Sequence, residues 1–122
     1  MQSDTPVGII GLGLMGTAFS ERLIGAGMQV IGFDIDPASR EKFRDNRGIT
    51  AASAGELALR SRAVLVAVYD GAQAQALFGD LESGPARPTI ICTTTCAPDE
   101  IVRLAGRAAN AGFPFIEAPI SG

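Results

Sequence analysis

Apolar residues in this chain come in short unbroken runs, separated by stretches whose apolar positions recur with a helical period. Val7-Gly8-Ile9-Ile10 lies between Pro6 and Gly11 without polar alternation, which predicts a strand buried on both faces rather than one half open to solvent. Over residues 14–26 the period changes. Met15, Ala18, Phe19, Leu23 and Ala26 fall on one helical face, Glu21 and Arg22 fall on the other, and Gly27 supplies a stop. Met28-Gln29-Val30-Ile31-Gly32-Phe33 predicts a second strand, so residues 1–34 make one βαβ unit.

The alternation continues. Asp36-Pro37 predicts a helix start, because Asp caps free amides and Pro fits the first helical position; the helix is expected to run to about Arg47, closed by Gly48. Ser53-Ala54-Gly55-Glu56 has capping-box spacing and opens a short helix through Leu57 to Arg60. Ala63-Val64-Leu65-Val66-Ala67-Val68 reads as another strand, residues 71–78 as a short helix, and residues 80–88, rich in Gly and Pro, as a surface loop. Thr89-Ile90-Ile91-Cys92 is a strand, Pro98-Asp99-Glu100 begins a helix with Ile101, Leu104, Ala105 and Ala108 on its apolar face, and residues 113–117 form a last strand. Apolar strands alternating with helices predict an α/β domain: an open, doubly wound, mainly parallel sheet with helices on both faces, one domain spanning residues 1–122.

Composition narrows the function classes. With 47% apolar and 19% charged residues and a formal charge of −3, the chain is an ordinary globular one. It offers no basic stripe for a nucleic acid. No apolar run approaches the roughly 18 residues of a spanning helix, and the N-terminal run is broken by Gly8, Gly11 and Gly13, so no membrane anchor or signal and a cytoplasmic location are expected. Histidine is absent, and the only two cysteines, Cys92 and Cys96, fit neither a zinc site nor a C-x-x-C redox pair; they are expected to fill space beside a strand end.

Gly11-Leu12-Gly13-Leu14-Met15-Gly16 is G-x-G-x-x-G set between a predicted strand and a predicted helix. In that setting Gly11 allows the tight turn, Gly13 allows close approach of a pyrophosphate, and Gly16 allows close helix-to-strand packing. The helix N-terminus then presents free amides to the phosphates. Asp34 closes the second strand, where its carboxylate would accept from ribose hydroxyls and repel a 2′-phosphate. That favours NAD over NADP, with Arg40 near enough in sequence to offset part of the repulsion and Asp36 better explained as the helix cap.

These residues, together with Thr93-Thr94-Thr95-Cys96-Ala97-Pro98 and Glu117-Ala118-Pro119-Ile120-Ser121-Gly122, make the whole chain resemble the β-hydroxyacid dehydrogenases. That family includes 3-hydroxyisobutyrate dehydrogenase, tartronate semialdehyde reductase and, more distantly, 6-phosphogluconate dehydrogenase, and the resemblance implies a Rossmann-type NAD(P)-binding domain. It further implies that Val68 and Tyr69 line the cofactor, that Gln73 contacts it, that Thr95 lies near the nicotinamide ribose, and that Ser121 and Gly122 grip the carboxylate of a small hydroxy-acid substrate. Tyr69 and Asp70 replace the family's Pro and small residue, and Cys92 replaces a common Asp.

Members of the family carry a following helical domain with a lysine general acid/base, through which they usually pair as homo-oligomers. The only lysine here is Lys42, on the second predicted helix, so no catalytic residue is expected in this chain, and the chain is expected to bind dinucleotide without turnover. Oxidation of a small 3-hydroxy acid, or reduction of its semialdehyde, is then the work of an intact protein. Two other readings stand beside it: a self-standing dinucleotide-binding module, and the first domain of a related imine reductase.

Overall fold

A computed structural model of the chain describes residues 5–119. Among these, six strands and five helices alternate: β1 (Val7–Ile10), α1 (Leu14–Gly25), β2 (Val30–Phe33), α2 (Pro37–Asp45), β3 (Ile49–Thr50), α3 (Ala54–Arg60), β4 (Ala63–Val66), α4 (Gly71–Ser83), β5 (Thr89–Cys92), α5 (Pro98–Ala111) and β6 (Phe115–Glu117). All five strand pairings are parallel, in the order β3-β2-β1-β4-β5-β6. The strand order therefore reverses between β1 and β4, the place where open α/β sheets bind ligands.

β1 and β2 are apolar on both sides because both of their sides are covered. Ile10, Ile31, Val64, Val66, Ile90 and Cys92 point to the larger core, where Leu57, Phe78, Leu81 and Leu104 of α3, α4 and α5 meet them. Ile9, Val30, Leu12 and Phe43 form a smaller cluster on the opposite face, under α1 and α2. That second face is only partly covered. Leu65, Ile91 and Ile116 lie in register across β4, β5 and β6 there, and Ile116 is 52% exposed.

Several local expectations change. On α1 the inward positions are Gly16 and Ser20, flanked by the partly buried Phe19 and Leu23, whereas Met15, Ala18 and Ala26 face outward. The helix lies close to β1 through a glycine, and this close approach rotates the buried stripe away from the most apolar positions. α2 ends at Asp45, and Arg47 rather than Gly48 takes the left-handed conformation, at φ 68°. A Cβ on Gly48 would overlap the Phe43 ring, so Gly48 provides space instead of a positive φ. The two-residue β3 is too short to show a period and has no counterpart in the hydrophobic pattern.

The expected loop over residues 80–88 is overturned in its first half, since α4 continues to Ser83. Leu81 is buried in the main core, and Asp80 accepts the Gly55 N–H of α3 at 3.1 Å. Tertiary packing thus extends the helix past Gly79.

Candidate dinucleotide site

The turn from β1 into α1 is built by glycine in three different ways. Gly11 has φ +101°, and a Cβ there would overlap the Ala67 carbonyl of the neighbouring β4 end. A Cβ on Gly16 would overlap the Gly11 carbonyl, so the helix leaves the sheet at a distance only glycine permits. At Gly13 a Cβ would meet nothing within 4 Å: the turn presents bare backbone to open space. No side chain caps α1 at Gly13 and no acidic residue lies in its first turn, so its leading amides and positive dipole end are free to meet an anion. Leu12 anchors the turn from below, its side chain buried in the smaller core and its carbonyl accepting the Thr17 hydroxyl at 3.2 Å.

Asp34 fastens the end of β2 to this turn. Its Oδ2 accepts the Leu12 N–H at 2.8 Å and its Oδ1 accepts the Asp36 N–H at 2.9 Å. Each carboxylate oxygen keeps a lone pair for a further donor such as a sugar hydroxyl. Arg40 donates to the Asp34 carbonyl at 2.6 Å and stacks on the Phe33 ring at 5.5 Å. Asp36 caps α2, accepting from the Ala38 N–H at 3.2 Å and the Ser39 hydroxyl at 3.0 Å.

The other wall follows β4 and β5. Thr93 donates its hydroxyl to the Val66 carbonyl at 3.0 Å, and the Thr94 hydroxyl accepts the Val68 N–H at 3.1 Å. Tyr69 donates its N–H to Gln73 Oε1 at 2.7 Å, and Asp70 caps α4 by accepting the Gln73 N–H at 2.9 Å. The strand-end bonding is therefore done by Thr93 and Thr94. Thr95 is exposed, and its hydroxyl has no hydrogen-bond partner among the described residues.

A cleft of about 720 Å³ runs between the two walls. It brings together Gly11, Gly13, Leu14, Met15, Asp34, Val68, Tyr69, Gln73 and Thr95. Leu12 and Gly16 are buried behind it and shape the turn without facing the cleft. Ser121 and Gly122 lie outside the described residues. Ile35, Ser39, Thr93 and Thr94 also line the cleft. The sequence pattern offered one signal for Ile35, Thr93 and Thr94, their position just after the ends of strands, and none for Ser39, which lies in the first turn of α2.

The remaining groups are less suited to chemistry. A shallower groove of about 590 Å³ lies between α4 and α5, but its central Arg107 is already held by Glu82 at 2.8 Å and the Gln75 carbonyl at 3.1 Å. Burial pushes the Cys92 thiol up, and burial, with Cys92 beside it, pushes Cys96 up to about 11. Both thiols therefore stay protonated near neutral pH and are poor nucleophiles. Lys42 is exposed on α2 and does not line the cleft.

Bare backbone at Gly13, an uncapped helix start, a carboxylate at the end of β2 and a cleft of ligand size at the sheet's switch point define a Rossmann-type dinucleotide-binding domain. The chain belongs to the family of the NAD binding domain of 6-phosphogluconate dehydrogenase, which matches residues 6–122. Its similarity to L-threonate dehydrogenase of Cupriavidus necator is 34% identity over 120 residues, covering 95% of this chain and 40% of that protein. The 3-hydroxyisobutyrate dehydrogenase of Mycobacterium tuberculosis, solved with L-serine, superposes with a TM-score of 0.86 at 26% identity, over 97% of this chain and 41% of that one. A reductive aminase of Aspergillus terreus in complex with NADPH and ethyl levulinate shares the fold, with a TM-score of 0.82 at 24% identity, over 98% and 42% of the two chains. The chain thus spans about two fifths of the length of these relatives. It is an NAD(P)-binding domain of that family.

Proposed function

We propose that this domain holds NAD in preference to NADP for an enzyme that oxidises the hydroxyl-bearing carbon of a small 3-hydroxy acid, or reduces the matching semialdehyde. The observation that carries the preference is Asp34. Its carboxylate lines the cleft at the β2 end, is fixed by two backbone N–H groups, and has no cationic side chain bonded to it among the described residues. Arg40, the nearby cation, is occupied at the Asp34 carbonyl and on the Phe33 ring. Ribose hydroxyls can donate to such a carboxylate, whereas a 2′-phosphate would be repelled by it.

The dinucleotide supplies hydride transfer at its nicotinamide ring; this chain binds and orients it. Backbone amides from residues 13–16 meet the pyrophosphate, Asp34 holds the adenosine ribose, and Val68, Gln73 and Thr95 border the nicotinamide half. Ser121 and Gly122 are assigned to the substrate carboxylate. Among the described residues no lysine or histidine lies along the cleft to pass a proton, so the general acid/base is expected from outside this chain, which alone binds without turnover. The resemblance in sequence to L-threonate dehydrogenase supports a hydroxy-acid substrate over an imine, the likeness to the reductive aminase being one of fold.

Calorimetric titration tests the preference. The unmodified chain is expected to bind NAD at least about tenfold more tightly than NADP, and Asp34→Ala to narrow that ratio. Equal affinities for the two cofactors in the unmodified chain would overturn the assignment of Asp34.

A further inference from the structure

We propose that the ring of Tyr69 is the aromatic surface against which the nicotinamide ring packs, so that this residue orients the reactive half of the dinucleotide and favours its oxidised form. The inference rests on the binding reading above and adds a role for a residue that departs from the family's pattern.

Tyr69 is 87% exposed although it lines the cleft. Its exposure does not come from a loose segment. Val68 before it is held by Thr94 at 3.1 Å, its own N–H is held by Gln73 at 2.7 Å, and Asp70 after it caps α4 at 2.9 Å. A large ring on a backbone pinned at three consecutive residues, with little packing of its own, leaves its faces open to a ligand in the cleft. Among the described residues no other aromatic side chain lines the cleft.

The side of the cleft follows from strand order. Asp34 marks the adenosine ribose at the β2 end, the glycine turn holds the phosphates at β1, and Tyr69 stands beyond them at the end of β4, beside Thr95 after β5. A dinucleotide laid across β2, β1 and β4 places its second ring by Tyr69. Oxidised nicotinamide is a planar cation, and the face of a tyrosine ring attracts both planar rings and positive charge.

Tyr69 is the chain's one tyrosine and tryptophan is absent, so the tyrosine emission, excited where phenylalanine does not absorb, reports this residue alone. Titration with oxidised NAD, an electron acceptor that quenches on contact, is expected to extinguish most of the emission after correction for ligand absorption. ADP, which lacks the second ring, is expected to leave it. In calorimetry, Tyr69→Leu is expected to weaken oxidised NAD about fivefold to tenfold, to weaken NADH less, and to leave ADP unchanged, with Tyr69→Phe restoring the affinity. Unchanged NAD affinity in Tyr69→Leu, or equal losses for NAD and ADP, would overturn the proposal while leaving the cleft's assignment intact. Failure of the unmodified chain to bind NAD at all would overturn both.

Discussion

Gly13 and Gly16 belong to one turn and answer to different demands, and the difference predicts opposite mutational signatures. At Gly16 an added methyl would collide with the Gly11 carbonyl, so Gly16→Ala must push α1 off the sheet and is expected to cost about 2–3 kcal/mol. At Gly13 the same methyl meets nothing within 4 Å. Gly13→Ala is expected to leave the stability in urea within about 0.5 kcal/mol of the parent and to weaken dinucleotide binding about tenfold or more. Comparable destabilisation by the two substitutions in urea melts would sink this division of labour. The motif's spacing made these roles legible, because it fixes which glycine meets backbone and which meets ligand. The double grip of Asp34 on Leu12 and Asp36 was not legible, since it depends on how β2 ends beside the turn. Cys96 supplies a residue-scale pH effect. A thiol raised from 9.0 to about 11 is neutral in the folded state while the unfolded thiol ionises, so its stabilising contribution is complete below pH 9.0 and is lost as pH rises toward 11. Thermal midpoints of the parent are expected to fall more steeply over that window than those of Cys96→Ala; parallel curves would contradict it.

Among the elements, α2 shows how a correct helix can hide a wrong cap. The sequence places a glycine just past the helix end, yet Arg47 takes the left-handed turn at φ 68° and Gly48 is needed because the Phe43 ring presses on it. An arginine in that region carries backbone strain that glycine would not, offset in part by glycine's freer unfolded chain. Arg47→Gly is therefore expected to stabilise the domain by about 0.5–1 kcal/mol, and a lower midpoint in urea would show that the strain is absent. The helices that announce their starts, at Asp36, Ser53 and Pro98, were readable because capping is local: Ser53 accepts the Glu56 N–H at 3.0 Å, and Glu100 accepts the Ala97 N–H at 2.8 Å. The end of α4 was not, because its last turn is held by Leu81 in the core and by Asp80 reaching α3, contacts made between segments distant in sequence.

At the scale of the molecule, the cleft residues recovered from the sequence sit in the turns that follow strands or in the first turn of the next helix, and the order β3-β2-β1-β4-β5-β6 gathers those strand ends on one edge. Ligand binding should therefore leave a footprint that follows the sheet rather than the chain. On adding NAD at about a hundred times its Kd, linkage predicts about 2.7 kcal/mol of stabilisation. Hydrogen exchange should slow most at residues 11–16, 34–39, 67–73 and 93–95, four segments far apart in sequence that meet only in this fold. The row Leu65, Ile91 and Ile116 on the partly covered face should exchange as before, as should the groove between α4 and α5, whose Arg107 is already committed to Glu82 and Gln75. The two cavities are similar in volume, so size alone would not choose between them. Protection centred on Gln75, Arg103 and Arg107 would move the site to the far side of α4, and with it would fall the roles given to the glycine turn, Asp34 and Tyr69. Protection confined to the four strand ends would tie the affinity to the one edge where bare backbone, a fixed carboxylate and a free aromatic ring face the same cleft.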